Sequence, residues 1–349
     1  MRAVTLPRFG GPEVFACEDV APPRPAADQM LLHVAACGVC GHDLLNRAGH
    51  FPHTRLPAVM GHEIAGTVVE AGPLVSRFKA GDRVAVIQRM PCGICHLCRE
   101  GRENVCVSGP GFYGEGISGG YGEFVIASER NAVRVPDGVP LDIAAVLSCA
   151  IGTGYHALRR AALRAGDTVV VTAASGGVGL HTLKLARLMG LRAIAISSSA
   201  GKGDRLREAG AAEVVVAPDF SFHAQVRALT DGLGAAGVIE IAGAPTFASS
   251  IRALRLGGRM VMVGNVAPGS VALNPAISIL REIDIVGSGH ATVSDLEAVI
   301  ALVSRGEIMP EIAARFPVEQ AGDAHRLMEQ RGATGRVLLM HPEAEVAPC

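Results

Sequence analysis

From residue 151 to residue 288 the chain repeats one pattern, a short apolar run followed by a helix-forming segment. The runs are TVVVTAA (168–174), RAIAIS (192–197), EVVV (213–216), GVIEI (237–241), RMVMVG (259–264) and IDIVGS (283–288). Between them lie segments such as GGVGLHTLKLARLMG (176–190) and PTFASSIRALRLG (245–257). Continuous apolar strands that alternate with helices imply parallel pairing, with both faces of the sheet covered. Six strands in that rhythm predict a doubly wound parallel-sheet domain of the α/β class, which takes a dinucleotide at the carboxyl ends of its strands.

Residues 1–150 read differently. Short β-like runs at 30–36, 63–71, 82–87 and 122–128 are separated by glycine and proline, the pattern of a twisted β barrel or sandwich. The tail beyond 288, with EIAARFPVE (311–319) and GRVLLM (335–340), leaves the strand–helix rhythm and is assigned to this β-rich part. The expected division is therefore 1–150 with 289–349, and 151–288. A chain of 349 residues is long enough for two cores.

Composition narrows the function. With 32 Lys and Arg against 33 Asp and Glu, the formal charge of −1 offers no bulk attraction to nucleic acid or an anionic membrane. There is no Trp and only 4% aromatic residues, which disfavours a base-stacking surface. The uncharged stretch 260–280 contains Asn265, Pro268, Asn274 and Pro275, which burden a membrane helix. The N-terminal MRAVTLPRFGG has no apolar signal core. The expectation is a soluble, cytoplasmic protein whose cysteines are metal ligands or reactive thiols.

Four of the nine cysteines, Cys92, Cys95, Cys98 and Cys106, have the spacing C-x2-C-x2-C-x7-C. Four soft thiolates within fifteen residues can close around one tetrahedral zinc and staple a lobe at about 92–106. A nucleic-acid-binding zinc ribbon is the competing reading, helped by Arg89, Arg99 and Arg102. Glu100 and Glu103 cancel most of that charge. The other candidates are scattered: Cys40 in CGVCGHD, His62 and Glu63 in GHEIAG, and Cys149 in LSCAIGTGY.

GHEIAGTVVEAG resembles the G-H-E-x2-G-x5-G motif of zinc-dependent medium-chain alcohol dehydrogenases. Cys40 upstream, the four-cysteine lobe, Cys149 and a glycine turn follow in that family's order. The resemblance spans essentially the whole chain. It implies a GroES-like catalytic domain and a Rossmann domain, with the substrate between them. It also implies a catalytic zinc on Cys40, His62 and Cys149, with Glu63 as an exchangeable fourth ligand, and Asp43 orienting His62. Two zinc ions per chain are expected. The family starts a proton relay with Ser or Thr two residues after the first zinc cysteine, often continuing to a His three residues on. This chain has His42 and Leu45 there, so either His42 handles the proton or the usual relay is absent.

AASGGVG after the strand 168–174 is an A-x-G-x-x-G turn on Ala174, Gly176, Gly177, Val178 and Gly179. Following a strand and opening a helix, it suits a pyrophosphate at the helix N-terminus. The next strand ends in Ser197, Ser198 and Ser199, with no carboxylate at that strand end and Lys202 and Arg205 beyond, which favours NADP(H) over NAD(H). The resemblance places Thr153 beside the nicotinamide, Val263, Gly264 and Asn265 at its carboxamide, and Arg336 near the pyrophosphate.

The expected activity is hydride transfer between NADP(H) and a small-molecule alcohol, aldehyde or ketone, by a homodimer or homotetramer. One alternative is reduction of a conjugated C=C bond, because ASGGVGLH, GAPTF and VGNVAP also resemble the acryloyl-CoA reductase branch. Another is a non-catalytic binding protein on the same fold.

Overall fold

A computed structural model describes residues 1–265, 269–330 and 335–342. The chain forms two compact units, one of Met1–Gly152 with His290–Cys349 and one of Thr153–Gly289.

In the first unit the eleven-residue strand Gln29–Val39 is the centre of a seven-stranded sheet. Glu63–Ala71 pairs antiparallel with it on one side and Arg336–Met340 on the other, so the chain's tail supplies a strand to this sheet. Phe124–Ser128 covers its first half. Alternation along these strands sends Met30, Leu32, Val34, Ile64, Val68, Val84 and Val86 into one core. The register sets Gly38 opposite Glu63. A Cβ at Gly38 would lie 2.3 Å from Glu63 Oε2, so only glycine leaves that carboxylate its place.

The second unit is a six-stranded parallel sheet. Its order is Ala211–Val216, Arg192–Ser197, Thr168–Val171, Ala235–Glu240, Leu254–Met262 and Asp284–Gly287. Val169, Val170, Val171, Ile194, Val238, Ile239, Met260 and Val261 are all fully buried, as strands covered on both faces must be. The winding reverses between Thr168–Val171 and Ala235–Glu240, and a crevice opens at the carboxyl ends of such a strand pair.

Three local readings differ from expectation. The helix expected to 257 ends at Ala253, and Leu254 begins a strand that runs to Met262. Leu254 turns extended there, at φ −67° and ψ 150°, and the Gly257–Gly258 pair falls within the strand, Gly257 having φ +67°. Two further helices, Val293–Ser304 and Ala321–Glu329, lie in the tail. The first is announced by a capping box, in which Thr292 accepts from Asp295 N and Asp295 accepts from Thr292 N. No helix among the described residues is long and apolar enough to cross a membrane. Residues 266–268, within both the uncharged stretch and the VGNVAP segment, lie outside the described residues.

Candidate metal centre and cofactor turn

Cys40 is the N-cap of the helix Gly41–Arg47. Its sulfur accepts from His42 N at 3.4 Å, and Asp43 Oδ2 accepts from Cys40 N at 2.9 Å. The other oxygen of Asp43 meets His62 Nδ1 at 3.1 Å. One buried carboxylate therefore fixes both the backbone of Cys40 and the ring of His62. With Nδ1 engaged, Nε2 of His62 faces Cys40 Sγ at 3.5 Å and Glu63 Oε1 at 3.9 Å. Burial works against both charges of the His62–Asp43 pair. Each is nonetheless held charged by the other, the Asp43 carboxyl well below the usual range and the His62 ring well above it.

Cys149 arrives from another element, a π-helical turn over Leu147–Ile151. Such turns displace one residue from the helical ladder, here the one that completes the cluster. The ligand atoms of Cys40, His62, Glu63 and Cys149 all lie within 4.8 Å of one another. Both oxygens of Glu63 are buried without a hydrogen-bond partner among the described residues. Two thiols, an imidazole and a carboxylate with no hydrogen bond form a donor set that fits zinc, three ligands plus one exchangeable position. Arg336 stands inside the same cluster, with Nη2 3.4 Å from Glu63 Oε1 and 3.3 Å from Cys149 Sγ.

The four-cysteine lobe is a second, separate cluster. Sulfur–sulfur distances are 3.5 Å for Cys95–Cys98 and Cys92–Cys106, and 3.9 Å for Cys92–Cys98 and Cys95–Cys106. Zinc–sulfur bonds of about 2.3 Å require tetrahedral edges of about 3.8 Å, whereas a disulfide requires about 2.05 Å. Backbone N–H groups of Ile94 and Cys95 point at Cys92 Sγ at 3.4 and 3.3 Å. Donation from these two lowers the Cys92 thiol below its ordinary value. The N–H of Cys98 chiefly brings Cys95 down to about 6. Burial first, and its contact with Cys95 next, push Cys98 up to about 12, so Cys92 and Cys95 are the two thiols that the backbone prepares as thiolates.

In the second unit, the turn after Thr168–Val171 leads into the twelve-residue helix Gly177–Leu188, with Gly176 as its N-cap. A Cβ on Gly179 would lie 2.5 Å from Ala173 O and 2.7 Å from Ala174 Cα, so helix and strand meet this closely only through glycine. Val178 and Gly177 form the first helical turn. Lys202 Nζ reaches Ser175 Oγ at 3.4 Å, which brings a cation from beyond the second strand onto this turn. Ser198 and Ser199 are exposed. Ser197 is buried, its hydroxyl donating to Ser199 O at 2.9 Å and accepting from Ser199 N at 3.3 Å. Thr153 is buried in the helix Gly152–Ala161. The N–H groups of Val263 and Gly264 donate to Glu240 O at 2.8 and 3.3 Å, so any carboxamide there meets their carbonyls or Asn265.

Comparison with known proteins decides the family. The model described as "Alcohol dehydrogenase GroES-like domain" matches residues 26–137, and "Zinc-binding dehydrogenase" matches 177–305. An acryloyl-coenzyme A reductase from Metallosphaera sedula is 35% identical over 97% of this chain and 99% of its own length. The chain belongs to the zinc-type medium-chain dehydrogenase/reductase superfamily. Alcohol dehydrogenase 1 of Emericella nidulans is 32% identical, over 96% of both chains. The crystal structure of AibC superposes with a TM-score of 0.93 at 43% identity, covering 98% of this chain and 96% of that one. Membership makes the protein an oxidoreductase with a GroES-like and a Rossmann-like domain, for which zinc and a nicotinamide cofactor are the expected groups.

One feature sets this chain apart from the family's hydroxyl relay. His42 Nε2 makes a 2.7 Å hydrogen bond with Glu115 Oε1. The ring stacks on Phe51 at 4.4 Å and 17°, and Phe112 and His62 each lie 4.9 Å away. Phe112 also packs on His290. Glu115, Phe51 and Phe112 carry no motif. Their convergence on His42 is created by folding and was not readable from spacing.

Proposed function

We propose that this protein is an NADPH-dependent reductase of a C=C bond conjugated to a thioester carbonyl, with zinc assisting at the carbonyl oxygen. The observation that carries this reading is His42, an imidazole bonded to a carboxylate, standing where a hydroxyl relay would begin. A dehydrogenase passes a proton from an alcohol oxygen to solvent, a task for which this family's relay begins with a hydroxyl. An enoyl reductase must instead hold a proton ready for a carbon, which an imidazole does well. The likeness to acryloyl-CoA reductases along the whole chain supports the same choice.

Cys40, His62 and Cys149 would hold the zinc, with Glu63 the ligand that exchanges, and the metal when bound supplies a Lewis acid for the carbonyl oxygen. NADPH, when bound, would supply the hydride for the β-carbon. The chain's own residues do the rest. Asp43 keeps His62 in one tautomer and orientation. Arg336 offsets the negative charge of Cys149 and Glu63. His42 relays from solvent the proton that the α-carbon receives, and with the two-electron hydride this completes the reduction. Ser198, Ser199 and Lys202 would meet the 2′-phosphate of NADPH.

Assembly as a homodimer or homotetramer belongs to this reading. It is supported by Ile279 and Leu280, 71% and 79% exposed on the helix Pro275–Arg281 beside the edge strand Asp284–Gly287.

A second reading, reduction of an aldehyde or ketone, is favoured by the complete Cys40–His62–Glu63–Cys149 set. Carbonyl reduction develops alkoxide charge directly on an oxygen that a divalent cation stabilises. The test is a panel of acryloyl-CoA, crotonyl-CoA, aldehydes and ketones with NADPH and zinc-loaded protein. Turnover of the enoyl thioesters above any aldehyde or ketone is expected. Turnover of aldehydes or ketones alone would overturn the proposal and leave the second reading.

A further inference from the structure

We propose that Glu115 is the positioning residue for His42, fixing the tautomer and the direction in which that imidazole presents Nδ1, the nitrogen that relays the proton. This rests on the reading that His42 serves the reaction. Glu115 sits at the tip of a tight turn whose three successive N–H groups, of Glu115, Gly116 and Ile117, converge on Phe112 O at 3.2, 3.2 and 3.4 Å. Gly114, at φ +79°, lets the turn press against the backbone beside His62. A Cβ there would stand 2.9 Å from Gly61 N. Asn46, buried on the same helix as His42, donates from Nδ2 to Gly114 O at 2.8 Å. Helix and turn are thus joined twice, by Asn46–Gly114 and by His42–Glu115, so the turn cannot carry the carboxylate away from the ring without breaking the buried Asn46–Gly114 bond.

A carboxylate accepts only, so its 2.7 Å contact places a hydrogen on Nε2 of His42 and leaves Nδ1 as the nitrogen that takes a proton from solvent and passes it on. Phe51 on one face and Phe112 close by restrict rotation of the ring. Side chains of His42 and Glu115 are 24% and 13% exposed, so the pair is shielded without being sealed. Without Glu115 the ring would choose between two tautomers and two flips, and only a fraction of molecules would be ready to react.

The experiment uses the full-length, zinc-loaded protein with crotonyl-CoA and NADPH. Glu115→Ala and Glu115→Gln are each made alone and with His42→Ala. Glu115→Ala is expected to lower kcat about tenfold with little change in KM. Glu115→Gln should recover most of that loss, since its amide oxygen still accepts from Nε2. In the His42→Ala background neither change should cost more. Nitrogen NMR of labelled histidine should show the Nε2–H tautomer at His42 and lose it in Glu115→Ala, whatever the substrate. If His42→Ala lowers kcat while Glu115→Ala changes neither kcat nor tautomer, Glu115 has no positioning role and the reading of His42 stands. An equal loss from Glu115→Ala in both backgrounds also overturns the inference. If His42→Ala itself leaves kcat unchanged, the reading beneath it falls.

Discussion

Arg336 Nη2 lies 3.3 Å from Cys149 Sγ, so the metal cluster contains its own cation before any metal enters. Burial would strip that charge. Glu63, Cys149 and Cys40 more than restore it and hold the guanidinium above its usual range. In the metal-free protein Arg336 compensates a buried group of thiols and carboxylates. With zinc present it shares that work with a divalent ion.

Arg336→Met should therefore destabilise the metal-free protein far more than the zinc-loaded one. Removing one partner of a buried ion pair costs about 3–5 kcal/mol when nothing replaces it. Melting temperatures of chelated and zinc-loaded samples should separate further in the variant than in the parent. Equal falls in both states would show that the charge is not a stand-in for the metal. A weaker NADPH affinity with no change in that separation would return Arg336 to the pyrophosphate.

Metal analysis should find two zinc ions per chain, and the two sites should fail differently. Cys98→Ser opens the closed lobe, which has little apolar core of its own, and should lower stability and solubility. Cys149→Ser should remove turnover while the melting temperature of the rest falls little. One zinc or fewer per chain, on protein never exposed to chelator, would count against the Cys40–His62–Glu63–Cys149 site.

The parallel sheet was legible because each strand, buried on both faces, is an apolar run that polar segments interrupt. The metal ligands were legible because thiolate spacing and the glycines around His62 are written locally. The geometry that joins them was not. Cys149 takes its place through a π turn, which leaves no mark on a run such as LSCAI. Glu115 reaches His42 across 73 residues of sequence, in a turn that reads as any glycine-rich loop. The basic residue Arg336 looks alike whether it meets a phosphate or a thiol. The helix Val293–Ser304 was legible in principle, since T-V-S-D is a capping box ahead of an apolar segment.

Cofactor choice should be tested at Ser198 and Lys202. Ser197 is folded into its own loop, so an acidic residue there would disturb structure and preference together. Ser198→Asp places a carboxylate on the exposed side, where it would repel a 2′-phosphate and accept ribose hydroxyls. Lys202→Ala removes the cation that reaches Ser175. Each change should lower the preference for NADPH over NADH by about tenfold, roughly 1.4 kcal/mol. Equal use of both cofactors by the parent protein would defeat the assignment.

Acid stability should depend on His325, fully buried beneath the first unit's sheet. Arg47 Nη1 donates to its Nδ1 at 3.0 Å, and a guanidinium has no acceptor, so Nδ1 must stay unprotonated. The hydrogen then sits on Nε2, which meets Tyr121 Oη at 2.8 Å. Burial first, and Arg47 next, against an opposing pull from Asp43, hold this histidine down to about 3. The unfolded chain binds a proton at this position as pH falls through about 6.5, and the folded protein does not. Stability is thus full above that value and is lost as pH falls toward 3, at a limit of about 1.4 kcal/mol per unit. His325→Gln can accept from Arg47 through its carbonyl and donate to Tyr121 through its amide, with no titration. It should cost stability at pH 7.5, and its deficit against the parent should shrink by about 2 kcal/mol by pH 5. Denaturant midpoints of both proteins at the two pH values, with zinc content checked, read this out. A deficit that stays constant would mean that His325 takes up its proton at the same pH folded as unfolded, and one that grows would mean that it is already protonated in the folded protein; either outcome removes Arg47 as its donor.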